Sequence, residues 1–288
     1  MPYLYKRRAL PAKHRAVKNY LYNWAKKYID FNTIEINIEQ KLNPPHFLQN
    51  PIWYCWLQGE KDMPRVIKLC YDSVKKMAGV RRVELVTFDN VNHFVNIPQT
   101  IKQKLSDGEL SFTHYADYLR ILLLKTYGGL WIDASIYVTQ PIDFRECENA
   151  IYTLKHHKIN DIYVSDYRWT VSLLGCAHGN LLFSKLELLM RKYIEDHDQF
   201  IDFFLFDYLI SVLYDNIPSI KKMIDEVDYS NAEFYELHSL MSKPFNKGAW
   251  DKLIGNQGFH KLSWKSNYLL ETPGGEQTFF SYLLDIND

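Results

Sequence analysis

In residues 114–135, HYADYLRILLLKTYGGLWIDAS, a helical apolar repeat stops at two consecutive glycines and gives way within four residues to an aspartate. Asp117 and Arg120 are three apart and share one helix face, and Leu119 and Leu123 hold the adjoining apolar stripe. Gly128 and Gly129 permit a tight turn and close backbone approach. The next four residues read as a strand with Asp133 at its carboxyl end, where open α/β sheets place their ligands. A carboxylate there can hold Mg2+ or Mn2+ against a diphosphate, because both ions prefer hard oxygen donors. Spacing alone also allows plainer readings: Asp117 with Arg120 as a surface ion pair, and Asp133 as a turn cap.

The flanking pattern points to an α/β chain. Residues 52–57 (IWYCWL) read as a buried strand, and Pro64 opens a helix to about residue 76. Residues 82–88 (RVELVTF) read as a second strand, so this region is a βαβ unit with parallel pairing. Ser111 or Thr113 caps the helix that carries Tyr115 to Tyr127. Further helices are expected over 181–194 and 200–214, short strands within 151–174, and an irregular tail over 239–284. Residues 1–45 form a basic helical extension, with Val17, Leu21, Trp24 and Tyr28 at helical spacing, and residues 46–288 form the main domain.

Charge separates this extension from the rest. Residues 1–30 hold eight Lys and Arg against Asp30 alone, a local +7, so the remainder carries −7 in a chain of formal net charge zero. A basic end suits nucleic acid, an anionic membrane or plain solvation. No zinc-finger spacing or basic stripe in the body supports nucleic acid. The four cysteines, Cys55, Cys70, Cys147 and Cys176, lack metal-ligand spacing and are read as reduced thiols of a cytoplasmic protein. No signal peptide or membrane-spanning run is expected.

Three segments resemble the bacterial capsular polysaccharide synthesis glycosyltransferases, related to the mannosyl- and galactosyltransferases that share the DXD region: residues 53–59 (WYCWLQG), 114–135 and 259–265 (FHKLSWK). The resemblance implies a GT-A type, Rossmann-like mixed sheet flanked by helices, with helical additions. It implies transfer of a hexose from a nucleotide-sugar, most simply a UDP-sugar, to an oligosaccharide acceptor in capsule or cell-surface polysaccharide synthesis, typically with retention. Trp56 and Gln58 would then lie near base and ribose. Asp117 would contact donor sugar or ribose, and Arg120 the sugar or diphosphate, with Trp131 beside them. Asp133 would be the first acid of the metal motif, Ser135 stands where the second acid usually stands, and His260 would complete the Mn2+ or Mg2+ site. His260, Ser263 and Trp264 would also close over the diphosphate, with Lys261 among the nucleotide-sugar-binding residues. Since a neutral hydroxyl is a poorer ligand than a carboxylate, a metal-free site using Arg120 with Lys261 or Lys265 is the other implied arrangement.

Other residues carry weaker signals. His178 and Asn180, in a loop-like LGCAHGN segment, are candidates for the acceptor side. Asp207 interrupts an apolar stretch and either reaches the acceptor or pairs inside the core. A lipid-linked acceptor would place the protein on the inner face of the plasma membrane. Two other function classes share these features: a metal-dependent nucleotide-sugar hydrolase or nucleotidyltransferase, and a non-catalytic sugar-binding protein.

Overall fold

The computed structural model describes residues 2–32, 50–142, 150–157, 162–230, 233–256 and 258–287, with residues 2–9 as backbone only. Cys147 and the expected boundary at 45/46 lie outside the described residues. In chain order the elements are α1 (Pro2–Ala25), β1 (Ile52–Cys55), α2 (Arg65–Met77), β2 (Val83–Val86), α3 (Val91–Phe94), α4 (Gln99–Ser106), α5 (Phe112–Tyr127), β3 (Gly129–Ile132) and β4 (Ile136–Val138). They continue with β5 (Ile151–Tyr152), β6 (Leu173–Cys176), α6 (Leu181–Asp196), α7 (Leu205–Asn216), α8 (Pro218–Asp225), α9 (Glu236–Leu240), α10 (Lys247–Asn256), β7 (Phe259–Lys261) and α11 (Phe279–Asp285).

The chain forms two compact units. Unit 1 comprises Met1–Asn50, Asn92–Trp131 and Cys147–Ser230, and unit 2 comprises Pro51–Val91, Ile132–Glu146 and Asn231–Asp288.

In unit 1, β6 lies between β3 and β5, and pairs with β5 antiparallel, Ile151 opposite Cys176. Helix α5 starts as its sequence requires: the Ser111 hydroxyl accepts the His114 N–H, satisfying one of the donors that a helix start leaves open. It stops at Gly128, whose φ of 66° is one that residues with a side chain rarely adopt. A Cβ on Gly128 would lie 2.5 Å from the His178 nitrogen and 2.6 Å from the Cys176 carbonyl. The turn after β6 therefore packs directly on the end of α5, and only glycine fits. Helix α1 buries Val17, Leu21, Trp24 and Ala25, one stripe at helical spacing, and packs against α7. The extension is thus docked within unit 1.

Helix α7 begins at Leu205, not at residue 200 as the sequence suggests. Asp202 explains the difference: its carboxylate accepts the Phe204 N–H at 2.9 Å, a local turn that competes with a helix start upstream. The LGCAHGN segment also differs from expectation, since its first residues complete strand β6, fully buried. Asn180 is the cap of α6, accepting the Leu182 N–H at 2.9 Å.

In unit 2, β1 and β2 are parallel, Ile52 opposite Val83, with α2 connecting them: the βαβ unit read from the sequence. A separate antiparallel pair, β4 with β7, sets Tyr137 opposite His260. The tail is irregular only in part: residues 262–277 carry turns and isolated bridges, while helices occupy much of the rest. Leu237, Met241, Trp250, Leu253, Phe279 and Leu283 from α9, α10 and α11 close one core with Val66, Leu69 and Cys70 of α2. These helices are short, five to ten residues. The burial of their few apolar side chains against α2, not a long periodic face, holds them. With parallel and antiparallel strand pairs and helices flanking them, the architecture is the α/β, GT-A-type mixed sheet expected.

Candidate active site

The sequence-assigned residues fall into two groups, one in each unit. In unit 2 the chain leaves β3 through Asp133 and turns at once, the Asp133 carbonyl accepting the Ile136 N–H at 2.9 Å. The turn is anchored from two directions. The Ser135 carbonyl accepts the Leu262 N–H at 2.8 Å, and the Tyr54 hydroxyl of β1 lies 2.5 Å from the Ala134 carbonyl and 3.0 Å from that of Ile67. Burial pushes the Tyr54 phenol well above its ordinary pKa, so it acts as a hydrogen-bond donor at every physiological pH. Held in this way, the Asp133 carboxylate meets the Lys261 ammonium at 2.7 Å, both side chains about one-fifth exposed.

The same unit holds two indoles. The Trp56 N–H donates to the Asp62 carbonyl at 3.2 Å, and its ring meets Trp264 edge to face at 5.9 Å between centroids. Trp264 is 48% exposed, unusual for so large an apolar surface, and Lys265 lies 5.7 Å from its ring. Gln58 is exposed on the loop after β1. Ser263 is held through its own N–H, which donates to the Tyr268 hydroxyl at 2.9 Å. A half-exposed aromatic edge next to a lysine can stack a planar ring and meet an anion.

The donor set assigned to Mn2+ or Mg2+ fits a hard ion in kind but not in number. Asp133 supplies one carboxylate, already matched by a lysine, and Ser135 is buried and uncharged. His260 is wholly buried, with Nε2 3.0 Å from the Thr139 hydroxyl. Successive strand residues face opposite ways, so its ring leaves β7 on the face opposite Lys261. Among the described residues, no three His, Cys, Asp or Glu side chains group closely enough to hold a metal.

In unit 1, Asp117 and Arg120 are both buried, so the pair is not the surface ion pair that spacing also allowed. An Arg120 amine lies 3.2 Å from the Asp117 carboxylate, and the other donates to the Val171 carbonyl. The guanidinium lies over the Trp131 ring at 4.9 Å and the Phe206 ring at 5.4 Å. An arginine held by a carboxylate, a carbonyl and two aromatic faces is fixed in orientation, which a lysine would not be. Asp207, the residue after Phe206 on α7, accepts the Trp169 indole N–H at 3.0 Å. Burial pushes its carboxyl up to about 6, with the Trp169 hydrogen bond and the Arg120 charge pulling the other way. Trp169 and Val171 were not foreseen, because both meet their partners across dozens of residues and lie in a segment without periodicity. The signal that pointed this way was Asp207 itself, an acid too costly to bury unpaired. His178 is exposed in the β6–α6 turn, and the Asn180 side chain is committed to capping.

Against this geometry the relationships can be stated. The family of capsular polysaccharide synthesis proteins matches residues 3–283, and the chain belongs to that family. It is similar to the O-glycosyltransferase braB of Annulohypoxylon truncatum, 22% identical over 262 residues, 81% of this chain and 58% of that one. The chain therefore spans little more than half the length of that relative. Among solved structures, PaToxG glycosyltransferase aligns with 89% of this chain and 99% of its own, at 13% identity and a TM-score of 0.44. The galactosyltransferase LgtC, in complex with donor and acceptor sugar analogues, aligns with 82% and 95%, at 12% identity and a TM-score of 0.39.

Proposed function

We propose that the protein is a glycosyltransferase that moves a hexose from a nucleotide-sugar, a UDP-sugar first among candidates, to a hydroxyl of an oligosaccharide acceptor in capsule or cell-surface polysaccharide synthesis. The single observation that carries the reading is the Asp133–Lys261 pair at 2.7 Å, set at the end of a short strand in the unit that also holds the Trp56–Trp264 edge. Family membership and the braB likeness support the same chemistry. Kinship with the DXD mannosyl- and galactosyltransferases, and retention of configuration, belong to the proposal.

In this reading Trp264 and Trp56 receive the base, with Gln58 and Ser263 at its margin. Lys261 meets the diphosphate, and its charge stabilises the negative charge that develops as the bond to the sugar breaks. Arg120, fixed by Asp117 with Trp131 beneath it, is the sugar-contacting candidate of unit 1. Asp207 faces the acceptor; His178 has no partner that ties it to this role, and Asn180 serves its helix. Asp133 would hold Mn2+ or Mg2+, which supplies Lewis-acid charge when bound. Such an ion would have to displace Lys261, since the pair is neutral as it stands, and His260 would have to turn from Thr139 to reach it.

The test is a donor screen across UDP-, GDP- and CMP-sugars, with Mn2+ or with a chelator, followed by acceptor trials. Transfer to a saccharide hydroxyl from one donor class is the expected result. Free sugar alone, undiminished by acceptors, would indicate a hydrolase, nucleotide exchange would indicate a nucleotidyltransferase, and binding without turnover a sugar-binding protein.

A further inference from the structure

Unit 1 leaves large apolar side chains in water, and they gather at one turn of α1. Phe203 is 61% exposed, Phe112 55%, Phe204 53%, Tyr163 46% and Ile201 39%. Named contacts bring their backbones together. Lys13 pairs with Asp202 at 2.5 Å, and His14 bridges the Tyr208 hydroxyl at 2.7 Å and the Ile162 carbonyl at 3.0 Å. His114, two residues past Phe112, stacks on Phe200 at 3.8 Å, with its Nε2 3.4 Å from the Phe203 carbonyl. Phe203 and Phe204 meet edge to face at 5.3 Å. One scattered exposed apolar residue is ordinary; five around a single turn form a patch that needs a second apolar phase.

Charge identifies that phase. Residues 1–29 contain eight Lys and Arg and no acid. Lys13 and Lys18 are matched by Asp202 and Asp215 and Lys27 acts on Asp196, while Arg15 is exposed beside the patch and the sequence run Lys6-Arg7-Arg8 precedes it along α1. An aromatic patch next to a basic stretch of sequence matches the two forces of a bilayer surface, apolar insertion at the headgroups and attraction to anionic lipid. Within α1 itself, Trp24 is buried and Tyr22 is turned onto Phe31 at 5.1 Å. We propose that this face of unit 1 is a docking surface for an anionic lipid bilayer, with Phe203 and Phe204 inserted at headgroup depth and the basic residues of α1 facing lipid phosphates. The inference does not depend on the reaction catalysed.

The experiment is vesicle sedimentation with the full chain, using phosphatidylcholine vesicles with and without phosphatidylglycerol. The protein should pellet with the anionic vesicles, stay in solution with the neutral ones, and be released as salt rises. Phe203→Ser with Phe204→Ser should weaken binding about tenfold or more, and Arg15→Glu should weaken it at low salt. Circular dichroism identifies which variants are folded, and both substitutions lie on exposed positions. No pelleting by the wild type, or equal pelleting by folded Phe and Arg variants, would overturn the proposal. So would self-association by sedimentation velocity that the double variant abolishes, since the patch would then join two copies of the chain.

Discussion

Two ionisable contacts set the residue-scale behaviour. Lys261→Met should leave a folded protein, because the pair is partly solvated, at a cost of about 1 kcal/mol. Donor turnover should fall about 100-fold, the range seen when one charge-stabilising donor is lost. Kinetics close to wild type would remove Lys261 from the reaction. Asp207 gives a pH signature. Its folded pKa of about 6 lies above the ~3.9 of an unfolded aspartate. The folded state therefore binds this proton more tightly, so the group penalises folding above pH 6 and ceases to do so as pH falls towards ~4. Asp207→Asn keeps an oxygen for the Trp169 indole and removes the titration. In urea melts, the variant should gain on the wild type by about 2 kcal/mol as pH rises from 4.5 to 8; a constant difference would show that Asp207 is not held out of water. The sequence marked Asp117, Arg120, Asp133 and Lys261 as residues of interest and paired the first two by spacing, but did not pair Asp133 with Lys261. Asp133 finds Lys261 across 128 positions, and no local spacing encodes such a meeting.

At the scale of elements, the α5–Gly128–β3 junction is the most exacting. Any side chain at Gly128 meets backbone of the β6–α6 turn on three atoms, and backbone cannot swing aside as a flexible side chain can. Gly128→Ala should cost about 3 kcal/mol, from the positive φ and the overlap together. Thermal melts would measure it; a loss under 1 kcal/mol would mean that the turn is free to move. This junction was legible in the sequence because glycine pairs after a periodic helix leave little choice. The βαβ unit was equally legible, since β-branched and aromatic runs flank an amphipathic helix. The tail was not. Its helices α9 to α11 draw their order from apolar contacts with α2, which begins more than 170 positions earlier, so no window over the tail contains the cause. The start of α7 was missed for the opposite reason: a single local bond from Asp202 overrides an apolar pattern that runs on through Phe203 and Phe204.

For the whole molecule, the path of the chain matters more than the count of elements. It passes from one unit to the other after residues 50, 91, 131, 146 and 230, so neither unit is a continuous segment. Residues 231–288 expressed alone should stay unfolded, because α9 to α11 would lack α2 and β4. Amide dispersion in an NMR spectrum would check this, and a well-dispersed spectrum would refute it. Mixing 1–230 with 231–288 should restore the Leu237–Phe279 core as a split protein. The salt bridge between Asp133 and Lys261 has a consequence of another kind, in ancestry. Under the DXD kinship proposed above, Lys261 would balance Asp133 in place of the second acid, since a serine stands at position 135. In related chains the three positions should then drift as a set. A lineage that acquires Asp or Glu at 135 is released from keeping Lys261, and a lineage that loses the acid at 133 has no reason to retain the lysine either.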